Sequence, residues 1–501
     1  MSILMIVAFF AITIFINRKN FAVKNFEDYA TSSGSFGTFA VALAVFATWY
    51  TGAIYVIWAD FTVVYGFIGT YVLVYTSIML VFMYLASEKT YLWGRKYGIK
   101  TQAELMDLRY RSKWLRLIMG LTGIAFIAPW LLLEWVAQGY VFYYATNGAV
   151  EPVWGMILGA VVVLIYVTTG GMRSVITANL LQGSYMFFIG TGLMFYLIYL
   201  FFDSFGGAMN TIQNVSPEAL TYPGPGFEVP NTYWASIILS SGFGALLFPF
   251  VFNKILVADS IRSVKQSTLV APILSIIFWA AFVFLGQSLH TIDYARENPL
   301  ESYMWIAKEA GPFTLALMST LVVVASVSSV AGIIQAIASC VSTDVAEVFN
   351  RKITDRQSLK VARISVVVIS LVTLYFATGN QEQLIYLGLL CYQGILVLFP
   401  AVMLGLFWKR ANKQGALTSI IIGVPVSMYL TITQPAWMVE SGWTGGMYAM
   451  VVCFVIMVIF GFLKPADAHV EKLWRDIEEA KAKSKAKKEI PEPGMKQSYT
   501  G

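Results

Sequence analysis

An all-α, polytopic membrane protein is the fold class this sequence predicts, and three observations carry it. Of its 501 residues, 58% are hydrophobic and only 12% charged, with a mean hydropathy of +0.68. Soluble domains carry about 25% charged residues, so a chain this apolar lacks the polar surface that keeps a protein dispersed in water. The apolar residues fall in runs of spanning length, since about 20 helical residues cross a hydrocarbon core about 30 Å thick. The lysines and arginines lie between those runs, nearly all on one side. These features exclude an ordinary cytosolic enzyme, a disordered chain and a secreted disulfide scaffold. Cys340, Cys391 and Cys453 sit in apolar runs and suggest no disulfide framework. His290 and His469 lie outside the runs, which argues against a histidine-built metal or catalytic centre. The net charge of +6 resides between hydrophobic runs and is no nucleic-acid signal.

Thirteen runs are expected to span, at about residues 1–17, 37–66, 68–87, 117–147, 153–169, 177–203, 233–251, 268–289, 313–346, 361–377, 383–408, 414–432 and 444–463. The first lacks a basic segment before it and a small-residue cleavage site after it, so it reads as a retained leader helix. The others are core helices 1 to 12. With residues 18–36 placed inside and sides alternating, the inner segments hold 3, 8, 1, 3, 5 and 3 basic residues and the tail holds 9. Only Arg296 and Lys308 of the 34 fall outside. That asymmetry follows the positive-inside rule and puts the N-terminus outside and the C-terminus in the cytoplasm. The expected organisation is a leader (1–17), a ten-helix core (37–408), two further helices (414–463) and a polar, partly helical, mostly solvated tail (464–501).

Core helix 1 is interrupted at Thr48-Trp49-Tyr50-Thr51-Gly52, and core helix 6 at Ser240-Ser241-Gly242-Phe243-Gly244. Free backbone groups are tolerated in a bilayer only where they face protein or a water-filled cavity. Inverted-repeat transporters break matching helices and bind solute and ion at the breaks. The bland alternative is that Gly and Ser let helices pack closely, as Gly155-x-x-x-Gly159 does in core helix 4. The matched positions, five helices apart, favour two breaks and a 5+5 repeat.

Glu134, on one face of core helix 3 with Gln138, and Asp60 in core helix 1 are ionisable groups inside spans. Such groups are functional hypotheses by default. Glu134 has three readings: contact with an amine-bearing solute, proton uptake, or a hydrogen bond to a break in a neighbouring helix. Asp60 reads as structural or vestibular. In core helix 8, Ala325, Ser328 and Ser329 share one helix face. A carbonyl and two hydroxyls there would suit a small monovalent cation, or would glue helices together. Trp49, Tyr50, Thr51, Gly52, Ser241 and Phe243 beside the breaks, with Tyr392-Gln393 in core helix 10, are candidate pocket or gate residues; Trp58, Trp130, Trp135 and Tyr386 read as packing or interfacial aromatics. Lys254, Arg262 and Lys265 read as topology and lipid-contact residues.

FEDYATSSGSFG, GIKTQAELMDLRY, YVTTGGMRSVITANLLQG and PAVMLGLFWKRANKQGA occur in the order found in the sodium:solute symporter family, which the chain resembles from about residue 26 to 425. That resemblance implies a leucine-transporter-like inverted repeat and sodium-coupled uptake of a small polar solute by alternating access. It also implies one Na+ held by the carbonyls of Ala47, Tyr50 and Ala325 and the hydroxyls of Ser328 and Ser329. Some members hold a second sodium with an aspartate and two more hydroxyls; here those positions are Asn179, Ala331 and Gly332, so one ion is expected. Trp49 stands where the proline carriers have an aspartate, which argues against proline. The FATWY run resembles a branch some members of which are fused to sensor kinases, so the competing function is a transporter-like sensor that binds without transport. An enzyme is disfavoured: no histidine lies in a span, and neither a HExxH nor a GxxxxGK[ST] pattern occurs. The expected partners are a small-molecule solute and the lipid of the plasma or inner membrane, with no nucleic acid and a monomer sufficient.

Overall fold

The computed structural model describes residues 1–21, 23–226, 229–350, 352–379, 384–464 and 468–489. The side chains of Asp60 and Tyr386 lie outside that description, as do residues 490–501 of the tail. The described chain is helical, with one isolated bridge between Phe36 and Ala258. Ten of its helices are long and apolar enough to cross a bilayer, or eleven when Asn231–Ala245 and Pro249–Ile255, bent by 57°, count as one span. Two features separate this count from the expected thirteen. Thr38–Trp49 is only the first half of core helix 1. Pro152–Phe202 is two helices in sequence that meet at Gly171, where φ is 53° and ψ −141° and the chain folds back. Tyr166 faces the Gln182 side chain across that elbow, although sixteen residues of straight helix would separate them by about 24 Å.

Core helix 8, Pro312–Cys340, is the central post: its apolar window is wholly buried, against one third for the leader, core helix 9 (Asp355–Ala377) and core helix 12 (Gly445–Leu463). Its alanines, serines and Gly332 let core helices 1, 3 (Lys113–Ala145) and 5 approach closely. A Cβ on Gly332 would fall 2.5 Å from Thr48 Cγ2. The Gly155/Gly159 pair packs onto core helix 3, as the spacing implies; a Cβ on Gly159 would fall 1.6 Å from Gln138 Oε1.

The break in core helix 6 is not where the glycines and serines are. Asn231–Ala245 runs through Ser240–Gly244, and the chain opens over Leu246–Phe248 before Pro249. Proline disfavours helical geometry in the residue before it, and here Phe248 is extended with ψ 128°. The glycines serve packing instead: a Cβ on Gly242 would sit 2.8 Å from Ile78.

On the side of the basic loops, the approach to core helix 1 is latched to the exit of core helix 6. The Phe36 N–H donates to Val257 O (3.2 Å) and the Asp259 N–H to Phe36 O (2.9 Å). Arg95, at the end of core helix 2 (Tyr71–Tyr97), donates to Ser33 O and Gly34 O at 2.7 and 3.0 Å. The first turns of the tail dock onto the helices beside them. In Ala468–Glu489, Val470, Leu473 and Ile477 are buried, Trp93 Nε1 donates to Leu473 O (3.0 Å), and Lys96 pairs with Asp476 (2.5 Å).

Candidate functional site: the junction of the helix 1 break with core helices 3, 5 and 8

The first half of core helix 1 ends at Trp49. Tyr50 and Thr51 are extended, and a short turn over Gly52–Tyr55 leads into Ile57–Val63. The N–H groups that start a helix have no intrahelical acceptor, and here they are buried. Glu134 serves them from core helix 3: the Gly52 N–H donates to its carboxylate at 3.1 Å, and the Thr51 hydroxyl and Ala53 N–H also bear on it. A carboxylate at a helix N-terminus is further favoured by the helix dipole. Ser326 ties the arrangement to core helix 8, donating to the Glu134 carbonyl (3.0 Å) while accepting from Gln138 Nε2 (2.8 Å). A Cβ on Gly52 would fall 2.5 Å from Ser326 Cβ. Of the three readings of Glu134, this geometry favours the hydrogen bond to a neighbouring break.

The other side of the break meets the Ser328/Ser329 face. Ser329 Oγ donates to Thr48 O (2.9 Å), Ser328 Oγ to Asn179 Oδ1 (2.9 Å), and Asn179 Nδ2 to Thr48 Oγ1 (2.9 Å). All four residues are fully or almost fully buried. A serine hydroxyl has one donor and two acceptor lone pairs, so each serine can keep these bonds and still offer a lone pair to a cation. The carbonyls of the last helical turn before Tyr50 lose their intrahelical donors, and Ala47 lies in that turn. The set is hard oxygen without net charge, suited to a small monovalent cation. Asn179 is occupied at both ends of its amide, and Ala331 and Gly332 add no oxygen-bearing side chain.

Aromatic side chains fill the space between the two breaks. Trp49 donates from Nε1 to Thr76 (2.9 Å), and its ring lies 5.9 Å from Tyr75 and 6.2 Å from Phe250. Tyr392 contacts Tyr75 by a 3.2 Å hydroxyl–hydroxyl bond and stands edge-on to Phe248 and Trp130. Tyr50 turns instead to Phe278 and Trp279 of core helix 7 (Ile261–Leu289).

The structure does not bring all expected site residues together. Phe243 stacks on Phe399 and meets Phe82, facing core helices 10 and 2 rather than Trp49. Ser241 lies four residues before the helix ends at Ala245. Gln393 is held by core helices 11 (Lys413–Thr433) and 12, accepting from the Gly446 N–H (2.9 Å) and from Ser427 (2.7 Å). Thr51 and Gly52 belong to the Glu134 cap. Thr48, Ser326, Tyr75, Phe248 and Phe250 were missed, since only packing reveals which side of a helix faces a break. Lys254 is a correction: it is 1% exposed, not at the lipid surface. It follows the second half of core helix 6, in the turn Asn253–Ile255, which packs on Thr38–Trp49 and Tyr71–Tyr97. Neither its Nζ nor the Asn253 amide has a hydrogen-bond partner among the described residues.

A chain whose central helices break beside a wholly buried small-residue helix has the build of a broken-helix secondary transporter. A profile of the sodium:solute symporter family matches residues 29–423, and the chain belongs to that family. It is 22% identical over 413 residues to the uncharacterized symporter YhjB of Bacillus subtilis (strain 168), covering 82% of this chain and 84% of that relative. It is 20% identical over 443 residues to the uncharacterized symporter YodF of the same organism, covering 87% and 88%. Among solved structures it resembles a substrate-bound, outward-open Na+-coupled sialic acid symporter, with a TM-score of 0.77, 18% identity and coverage of 93% of this chain and 98% of that one. It also resembles Mhp1, a nucleobase-cation-symport-1 family transporter, with a TM-score of 0.60, 12% identity and coverage of 91% and 100%. The fold is therefore the leucine-transporter-like one, and the chain is a multi-pass membrane transport protein.

Proposed function

We propose that this protein couples the inward movement of one sodium ion to uptake of a small polar organic solute by alternating access. The observation that carries the reading is the Ser328/Ser329–Thr48–Asn179 junction between core helix 8 and the break of core helix 1. Sodium is held by the carbonyls of Ala47, Tyr50 and Ala325 and the two hydroxyls. Bridging core helices 1 and 8, it favours the outward-open state, to which solute then binds. Any such shift is limited by the ion's differential affinity for the two states. A second ion is not expected, because Asn179 is a neutral crosslink and Ala331 and Gly332 lack hydroxyls. The reading includes thirteen spans, dividing the chain at Gly171 and joining both halves of core helix 1. It places the N-terminus outside and the tail in the cytoplasm of a plasma or inner membrane, with the monomer as the working unit.

Lys254 favours a solute with an anionic group. A buried amine without a partner is costly to charge, and an anion beside it would offset that cost; Glu134 has one carboxylate oxygen committed to the helix 1 break and the other without a hydrogen-bond partner among the described residues. Proteoliposomes with an inward sodium gradient should accumulate a member of a panel of small carboxylates, and potassium should not replace sodium. Lys254→Met should abolish that uptake while sodium still raises the thermal midpoint. Uptake that runs equally in potassium would contradict the coupling; sodium-driven uptake of amines but not carboxylates would contradict only the solute class.

A further inference from the structure

On the lipid-facing flank, where core helix 9 begins, lies a hollow of about 740 Å³ lined by Lys24, Arg356, Lys360 and Arg363 together with Ile364, Val367 and other aliphatic side chains. Sequence spacing builds it. Arg356, Lys360, Arg363 and Val367 follow one another by four, three and four residues along Asp355–Ala377, so they share one helix face. The face is cationic in its first three turns and aliphatic beyond. Ile364, Val367 and Val368 are 51%, 38% and 50% exposed, open to the bilayer. Arg363 is braced, donating from Nε to Thr168 O and from Nη2 to Val23 O, both at 3.0 Å. The adjacent carboxylate turns away from the hollow: both oxygens of Asp355 accept from the Phe26 N–H at 3.0 Å, and Asp355 does not line it. No acidic residue lines the hollow, and none of the four cations forms an ion pair among the described residues.

We propose that this hollow binds an anionic phospholipid of the inner leaflet. Its phosphate lies among Lys24, Arg356, Lys360 and Arg363, and an acyl chain lies along Ile364, Val367 and Val368. The order of the lining matches the ligand: charge at the level of the headgroups and aliphatic surface deeper in the bilayer. Basic pockets between helices on the cytoplasmic side bind such headgroups through this chemistry, and an exposed arginine pairs well with phosphate oxygens. The inference is independent of the sodium junction, so either can fail without the other.

The test is thermal unfolding of the full-length protein in mixed micelles titrated with phosphatidylglycerol or with phosphatidylcholine, alongside native mass spectrometry of retained lipid. Phosphatidylglycerol should raise the midpoint saturably and be retained, and phosphatidylcholine should do neither. Arg356→Gln with Lys360→Gln should weaken the phosphatidylglycerol response about 10- to 30-fold, from the loss of two surface charges near the headgroup. Lys308→Gln, on the opposite side, should not alter it. Both positions are exposed, so folding is kept. Equal responses to the two lipids, or an unaltered response in the double variant, would overturn the proposal. So would full competition by inorganic phosphate, which would make this a site for a soluble anion.

Discussion

Glu134→Ala should abolish transport and lower the thermal midpoint sharply. The substitution strands the Gly52 N–H in a fully buried site and removes the carboxylate on which the Thr51 hydroxyl and Ala53 N–H bear. Each stranded buried donor costs about 1–3 kcal/mol, so a loss of about 2–5 kcal/mol is expected. Glu134→Gln keeps one acceptor oxygen, and its loss should be smaller. Comparing the two variants separates the readings of this residue. If Glu134 caps the break, both lower stability without sodium or solute, and alanine is the worse. If it instead holds the positive end of a solute, Glu134→Gln would leave stability and sodium binding intact and weaken only solute affinity. Melting curves in detergent with and without sodium decide between them.

Ser329→Ala should weaken sodium binding about 5- to 150-fold, because a hydrogen-bond-like ligand to a charged partner contributes about 1–3 kcal/mol. Solute affinity should fall with it and recover at saturating sodium, since coupling between two ligands is reciprocal. The Ser329 hydroxyl also donates to Thr48 O, so the variant should lose a modest amount of stability, about 0.5–1.5 kcal/mol, even without sodium. A serine that only packed would show that small loss and no change in sodium affinity.

Much of this site was legible in the sequence because membranes simplify the reading. Apolar runs and basic loops are set by the bilayer and need no tertiary knowledge. A polar face on core helix 8 announces itself by three- and four-residue spacing. The opening at Tyr50 was legible from its Thr and Gly neighbours. The opening of core helix 6 was misplaced because glycine and serine serve close packing and flexibility alike, whereas Pro249 acts on the backbone directly. Glu134 was recognisable as costly, but its acceptors face a backbone that only the fold brings near. Lys254 reads as a loop cation in any sequence, since burial comes from two distant helices packing on its turn. The docking at the start of the tail escaped notice because its apolar contacts are three residues among many charges.

Equilibrium binding of radioactive sodium to the purified full-length protein tests the central claim most directly, because it needs no solute. The predicted result is saturable, non-sigmoidal binding that approaches one ion per chain, is not displaced by potassium, and is weakened in Ser329→Ala and lost when Ser328→Ala is added. No saturable binding, two ions with a sigmoidal isotherm, or wild-type binding by the double variant would contradict it.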